Sequence, residues 1–402
     1  MPDRIDPYPP LCLKPREDRR LRAGHPWVYS NEVDVEATPL KEFAPGDPVT
    51  ILAANGKPVG TGYVNPHTLI AARLMSRDPR HPFSPSLLVH RIKVALALRE
   101  RLMPGPWYRL LYGESDGVPG LVVDRYGDFL VGQITTAGME QMREAIAQAL
   151  VKALRPAGIL WRNDNPVRAL EGLASYTSVG YGAVPEQLEL EEHGARFRVS
   201  PRSGQKTGWF FDQRLNRAAV AGFARGARVL DLCSYVGAWG IQAARAGADS
   251  VHCVDSSADA LELASENAAA NNVTDKLTCL RGDVFKVLEA LCEDADSFDL
   301  VIADPPAFIK RRKDFASGSQ GYRKLNQLAM RLLSRDGILV SCSCSQLFSA
   351  EQLGSTLQAA ARHLDRMVQI VGQGHQGPDH PVLPALPETG YLKCLTARVL
   401  PA

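Results

Sequence analysis

The sequence predicts an α/β protein whose C-terminal half is a doubly wound, mostly parallel sheet. Three observations predict it. From about residue 210 onward short apolar runs alternate with helical patterns. Several of those runs end in a carboxylate, as strands of an open parallel sheet do when their ends line a crevice. Of the 402 residues, 45% are hydrophobic, enough to bury large cores in two or three domains. The expected strands cover 228–230, 250–254, 277–280, 299–302 and 338–340, with two more at 367–371 and 391–395.

Upstream the pattern changes. Residues 1–78 carry short β patterns at 48–52, 58–64 and 69–74, separated by Asn55-Gly56 and Asn65-Pro66 turn signals, and predict a small β barrel. Residues 81–101 are helical in period, with Leu87, Leu88, Ile92, Ala95, Leu96 and Leu98, and lead out of the barrel. Strands at 121–123, 129–134 and 159–161 around a helix at 139–154 predict a small central α/β domain. The runs 188–190 and 195–199 flank Glu191-Glu-His-Gly194 as a hairpin. The resulting division is 1–78, 79–187 and 188–402, with no internal repeat or low-complexity tract.

Composition excludes several classes. The first twenty residues are polar and proline-rich, and no apolar run reaches the roughly eighteen residues of a membrane span, so a cytoplasmic location without membrane partners is expected. The eight cysteines show no C-x-x-C pair, which predicts reduced thiols; Cys342 and Cys344 lack the companion ligands a zinc site needs, so no metal is expected. Net charge is only +2. Local charge is more informative: Arg16, Arg19, Arg20 and Arg22 precede Gly24-His-Pro-Trp-Val-Tyr29, and Lys310, Arg311, Arg312 and Lys313 follow Asp304-Pro305-Pro306. Such clusters are ordinarily solvated surface, but beside an aromatic segment and a candidate active site they point to phosphate contacts.

After the first strand of the C-terminal sheet comes Asp231-Leu-Cys-Ser-Tyr-Val-Gly237-Ala-Trp-Gly240, with Ser234 and Gly237 in the turn before a helix. Neither G-x-G-x-x-G nor a P-loop is present, and a carboxylate at Asp231 repels phosphates while suiting an ammonium or sulfonium. Asp255 ends the next strand, where an acid can accept ribose hydroxyls, and Asp283 follows the third, where an acid can accept an adenine amino group. One Asp after a strand is usually a helix cap or turn residue. Three in order, followed by Asp304-Pro305-Pro306, fit S-adenosylmethionine.

Asp-Pro-Pro is shared by methyltransferases acting on planar nitrogens and by some acting on carbon, so a thiol at the next strand end helps to choose. C5 of cytosine is too poor a nucleophile to attack a sulfonium methyl, whereas a thiolate adding to C6 turns the ring into an enamine whose C5 can attack. Asp304 is placed to hydrogen-bond N3 and ease that addition. A strand-end cysteine is usually a small buried hydrophobe, the reading kept for Cys233, Cys253, Cys279 and Cys292. Cys344, between Ser343 and Ser345, lies in polar company where a thiolate can survive.

These residues resemble the bacterial large-subunit rRNA cytosine-5 methyltransferases of the RlmI type over essentially the whole chain. Leu21-Arg-Ala-Gly-His-Pro-Trp-Val-Tyr29 and Gly62-Tyr-Val-Asn-Pro-His-Thr-Leu-Ile70 are similar to that family's RNA-binding PUA barrel, and Gly113-Glu-Ser-Asp-Gly-Val-Pro-Gly-Leu-Val-Val-Asp-Arg125 to its central domain. Gln205-Lys-Thr-Gly-Trp-Phe-Phe-Asp-Gln-Arg214 resembles the segment that opens the Rossmann-like catalytic domain and closes over the cofactor. The resemblance implies that Asp212, Gln213, Arg214, Asp231, Ser234, Gly237, Asp255, Asp283 and Asp304 surround S-adenosylmethionine. It puts the nucleophile on Cys344 rather than Cys342. It also implies large-subunit rRNA, naked or partly assembled, as partner; the oligomeric state is not legible, and a homodimer is left open. In a wider group of RNA cytosine-5 methyltransferases a second cysteine after Asp-x-Pro assists product release; Ala307 stands there, so another base must act, and His380 in Asp379-His380-Pro381 is a candidate for which the role of a structural loop histidine is the preferred reading. Two rivals remain: a guanine-nitrogen methyltransferase, which needs no thiol, and a non-catalytic RNA-binding assembly factor, against which the intact acids argue.

Overall fold

The structure is a computed structural model and describes residues 8–78 and 81–402. The first seven residues of the expected barrel, and residues 79 and 80 just after it, lie outside the described residues. The chain divides into two compact units. One contains the residues up to Leu188 with Ser200–Trp209 and Pro378–Thr389; the other contains Glu189–Val199, Phe210–Gly377 and Gly390–Ala402. Ser200–Trp209 and Pro378–Thr389, within the expected catalytic span, therefore pack with the first unit.

The first unit holds two five-stranded sheets. In the first, the order is Pro10–Cys12, Pro48–Leu52, Pro58–Val64, Ile70–Ser76, Trp27–Tyr29. Asn55 starts the turn between its second and third strands by accepting the Lys57 amide at 3.1 Å, and Gly56 takes φ +75°. Val49, Ile51, Val59, Val64, Ala72 and Leu74 fill the interior. The second sheet runs Tyr176–Gly182, Gly158–Asn163, Phe129–Ile134, Leu121–Tyr126, Trp107–Tyr112, and shares a core with helices Pro85–Leu102 and Arg143–Leu154 through Leu88, Ile92, Ile146 and Leu150. Its two outer strands add to the three expected. The expected helix at 139–154 is two, Ala137–Gln141 and Arg143–Leu154, separated at Met142. The first long helix starts at Pro85 because Ser84 caps it, accepting the Leu87 amide, and proline suits the first helical position.

The hairpin Leu188–Glu192 and Ala195–Val199, turned by His193 and Gly194 at φ +52° and +75°, belongs from Glu189 onward to the second unit. Its sheet has seven strands: β1 (Arg228–Leu232), β2 (Ser250–Asp255), β3 (Leu277–Arg281), β4 (Phe298–Ala303), β5 (Leu333–Ser343), β6 (Arg366–Gly374) and β7 (Lys393–Pro401). The order is β3-β2-β1-β4-β5-β7-β6, parallel except that β7 runs against β5 and β6. Helices Ala238–Arg245, Ala258–Ala270, Val284–Glu293, Phe315–Arg331 and Ala350–Arg362 alternate with the strands. Leu230, Leu232, Val301, Leu339, Tyr322, Phe348 and Leu353 belong to its core. Because the chain builds outward from β1 to β3 and then returns to β4 on β1's other side, the order reverses between β1 and β4. The crevice at the C-terminal ends of those strands is where such sheets bind ligands.

Candidate active site

Asp231 is buried near the end of β1. Its Oδ2 accepts the Gly240 amide at 2.9 Å, while its Oδ1 is buried without a protein partner. The turn that follows is strained: Cys233, Tyr235 and Gly237 take φ of +60°, +51° and +77°, and for the first two that is an uncommon, costly conformation of the kind concentrated at functional sites. Gly237 has a structural reason to be glycine, since it caps Ala238–Arg245 in the left-handed region and an added Cβ would stand 3.1 Å from that of Ala264. Asp255 ends β2 and braces the same turn, Oδ2 accepting the Tyr235 amide and Oδ1 the Ser257 amide, each at 2.9 Å. Burial pushes the Asp231 carboxyl up to about 8; the Gly240 amide opposes this, and the neighbouring Asp304 and Asp255 charges add to it. Asp283 is exposed and caps helix Val284–Glu293, accepting the Phe285 and Lys286 amides. Ser234 is buried within the turn.

The segment Asp212, Gln213, Arg214 is buried, and its three side chains do different things. Asp212 accepts a hydrogen bond from the Tyr391 hydroxyl. Gln213 Nε2 donates to Asp304 Oδ1 at 2.9 Å while its Oε1 accepts from Asn216 at 2.7 Å. Arg214 reaches Glu192 of the hairpin at 3.4 Å, beside the closer Arg217–Glu192 pair at 2.6 Å. Burial alone would raise the Glu192 carboxyl; Arg217 and Arg214 outweigh it and hold it low. Arg214 thus anchors the hairpin.

Asp304 follows β4, and Trp239 Nε1 donates to its Oδ2 at 3.1 Å, so Gln213 and Trp239 each clamp one oxygen. β4 and β5 are parallel with Ala303 opposite Ser341, which brings Asp304 to the end of β5 that carries Cys342 and Cys344. The two thiols differ. Cys342 is fully buried opposite Cys394 of β7, and burial pushes its thiol well above the ordinary cysteine range. Cys344 is half-buried just beyond the strand. Ser343 Oγ donates to the Tyr322 hydroxyl at 2.9 Å, and Tyr322 in turn lies 2.9 Å from Ser345 Oγ, which also accepts the Ile309 amide. With both serines turned to Tyr322, Cys344 between them faces the other way. Tyr322 is itself held between Phe308, 4.8 Å away, and a stacked Phe348 at 5.0 Å.

Of the basic residues, Lys310, Arg311, Arg312 and Lys313 are exposed just after the Asp-Pro-Pro turn, Arg311 pairing with Asp314 at 3.0 Å. Arg16, Arg19 and Arg22 are exposed, and Arg22 pairs with Asp18 at 2.6 Å. Arg20 differs from the sequence reading: both Glu32 oxygens take its guanidinium, at 2.7 and 2.9 Å, and it stacks over Tyr29, so it holds the barrel. His380 is the structural histidine that the sequence reading preferred. It is buried in the first unit, 2.9 Å from Asp379, whose carboxylate accepts the Arg109 amide and whose carbonyl accepts Arg99. Trp239, Tyr322, Glu192 and Lys393 were missed from sequence; a polar or aromatic residue in an otherwise ordinary helix or strand is their one local signal.

A turn after β1 built around acids, and an acid after β4 at the point where strand order reverses, define a class of enzyme: residues 172–388 match the family of S-adenosylmethionine-dependent methyltransferases, and residues 11–77 a PUA-like domain. The cofactor is S-adenosylmethionine. The unpartnered, buried Asp231 Oδ1 fits its cationic end. The ribosomal RNA large subunit methyltransferase I of Shewanella denitrificans is 37% identical over 97% of this chain and 99% of its own, and that of Aeromonas hydrophila 38% identical over 96% and 98%. The chain belongs to the ribosomal RNA large subunit methyltransferase I family. In fold it is similar to a methyltransferase solved with SAH, with TM-score 0.83 and 22% identity over 97% of this chain and all of that one. A tRNA m1G37 methyltransferase from M. jannaschii gives 0.53 at 16% identity over 79% and 80%, so the fold by itself does not choose between nitrogen and carbon.

Proposed function

We propose that this protein methylates C5 of a cytosine in large-subunit rRNA, with Cys344 as the nucleophile that adds to C6. The observation that carries this reading is the pairing of a clamped acid, Asp304, with a half-buried thiol, Cys344, at the ends of adjacent parallel strands. The relatives' name supports rRNA as substrate. Bound S-adenosylmethionine supplies an electrophilic methyl carbon. Cys344 thiolate adds to C6 while Asp304, as the protonated acid, donates to N3 and neutralises the charge that builds there; C5 takes the methyl as that proton returns to Asp304, and loss of the C5 proton then expels the thiolate. Around the cofactor, Asp231 faces the cationic end, Asp255 the ribose and Asp283 the adenine edge. Ser234 and Gly237 shape the turn, while Asp212, Gln213 and Arg214 hold the segment beside it. The three-part domain division, and action in the cytoplasm, belong to the same proposal; among the described residues no helix is long and apolar enough to cross a membrane. RNA carrying 5-fluorocytidine tests the chemistry, because fluorine replaces the proton that elimination requires. A cofactor-dependent protein–RNA adduct should survive a denaturing gel; complete methylation with no adduct would sink the covalent reading.

Asp231 makes a measurable trade-off. Its folded pKa, about 8, lies above its unfolded value, so ionisation favours unfolding. The penalty is absent below about pH 4 and grows as pH rises toward 8. Asp231→Asn keeps an acceptor for the Gly240 amide and removes the charge. Without cofactor it should melt at least about 2–4 °C above the parent at pH 8 and level with it near pH 4. It should also lose about 1.5–3 kcal/mol of S-adenosylmethionine affinity. Thermal scans across pH and calorimetry read both; a lower melting temperature at pH 8 would mean that the ionised form is stabilised.

The RNA face needs a gentle test. Deleting the barrel would tear a shared core, since Tyr63 and Met75 pack in one cluster with Leu88 and Leu121. Replacing Arg16, Arg19 and Arg22 together with Ala should instead make the dependence of log affinity on log salt shallower by about 2 for single-stranded contacts. An unchanged slope in filter-binding titrations would remove these arginines from the RNA face.

A further inference from the structure

Loss of the C5 proton needs an acceptor, and the side chains already described are spoken for. Ala307 cannot act, His380 is locked to Asp379 in the other unit, Cys342 is buried against Cys394, and the Tyr322 hydroxyl serves the two serines. Lys393 opens β7 directly opposite Ser343, and its Nζ donates to the carbonyl of Ser345 at 2.5 Å and to that of Tyr391 at 2.7 Å. Its amine therefore sits against the residue that follows Cys344.

We propose that Lys393 is the base that removes the C5 proton after methyl transfer, an assignment that rests on Cys344 being the nucleophile. A neutral amine has two N–H donors and one lone pair. Two carbonyls occupy both donors here, so the lone pair has a fixed direction. The surroundings bring a neutral form within reach: burial lowers the Lys393 pKa to about 8 and the Cys344 charge opposes the shift, so about a tenth of the amine is neutral at pH 7. A methyl group delivered to the ring face opposite the sulfur leaves the C5 hydrogen on the sulfur's own face, so the base must reach it from beside Cys344, and the contact of Nζ with the Ser345 carbonyl holds the amine next to that residue. In the step, the amine lone pair takes the C5 proton, the C5–H electrons form the C5–C6 double bond, and the C6–S bond breaks with its electrons returning to Cys344. An ammonium is left beside a thiolate, and the half-exposed lysine returns its proton to water.

The test uses the full chain, ordinary cytidine RNA and S-adenosylmethionine labelled in its methyl group. Lys393→Met should carry out the first methyl transfer within a few-fold of the parent and then stall. A denaturing gel should show an adduct with one labelled methyl per enzyme, and multiple turnover should fall about 10²-fold. Lys393→Arg, which keeps the charge but cannot accept a proton, should stall in the same way, and it decides the matter if the Met variant fails to bind cofactor in calorimetry. Turnover within threefold of the parent would overturn the assignment, and so would loss of the first methyl transfer without any methylated adduct, because Lys393 would then only shape the loop. Absence of a 5-fluorocytidine adduct with the unsubstituted enzyme would remove the thiolate reading itself, and this assignment with it.

Discussion

Cys344→Ala should abolish both methyl transfer and the 5-fluorocytidine adduct, whereas Cys342→Ala should keep most of both. The two sulfurs are two residues apart and leave the same side of an extended chain, since Ser343 and Ser345 both turn toward Tyr322. Depth separates them. Cys342 is fully buried beside Cys394 and its thiol is driven further toward the neutral form, a poor nucleophile behind a closed wall. Cys344 lies past the last paired residue of β5 and is half-buried. Losing the Cys342 sulfur leaves a small cavity and should cost about 1 kcal/mol of stability with little loss of rate. Methylation and trapping assays on both variants decide this. Full methylation by Cys344→Ala would end the covalent mechanism, and loss of the adduct only in Cys342→Ala would mean that the wrong thiol has been chosen.

The two cysteines also show how far the sequence reaches. Strand-end position, polar neighbours and the Asp-Pro-Pro turn are local, and so were legible; what lies behind each thiol is set by β7, some fifty residues further along. The same limit recurs. Five parallel strands were legible because apolar runs alternate with helices, but β5 and β7 extend well beyond their apolar centres because they pair antiparallel from Gly337–Val399 to Ser343–Lys393. In the second sheet, Trp107–Tyr112 hides a buried Arg109 that pairs with Asp124 on the neighbouring strand, and Tyr176–Gly182 is an edge strand that contains two glycines. The apolar period runs on through Met142, where the helix breaks. Arg20 reads as a phosphate contact in the sequence because Glu32, which holds it, lies twelve residues away, and Asp255 reads as a ribose ligand without its second task of bracing the β1 turn.

Asp304→Asn should lower kcat by about 10²- to 10⁴-fold, the usual range for a positioned acid–base group, with little change in melting temperature because the residue is only half-buried. The carboxylate accepts from Gln213 Nε2 at one oxygen and from Trp239 Nε1 at the other. An asparagine has one acceptor oxygen, so its amide N–H₂ must face one of those two donors, and the acidic proton that Asp304 offers to N3 of the pyrimidine is gone as well. Removing one clamp at a time separates geometry from charge. Gln213→Ala and Trp239→Phe each leave the carboxyl group in place and merely less restrained, so each should cost about tenfold or less, a loss of about 1.4 kcal/mol. Because Asp304 is assigned to the addition step, the 5-fluorocytidine adduct of Asp304→Asn should form more slowly in the same proportion as turnover falls. If Asp304→Asn turned over within threefold of the parent, or trapped 5-fluorocytidine RNA at the parent's rate, the acid would be a scaffold for Gln213 and Trp239 alone.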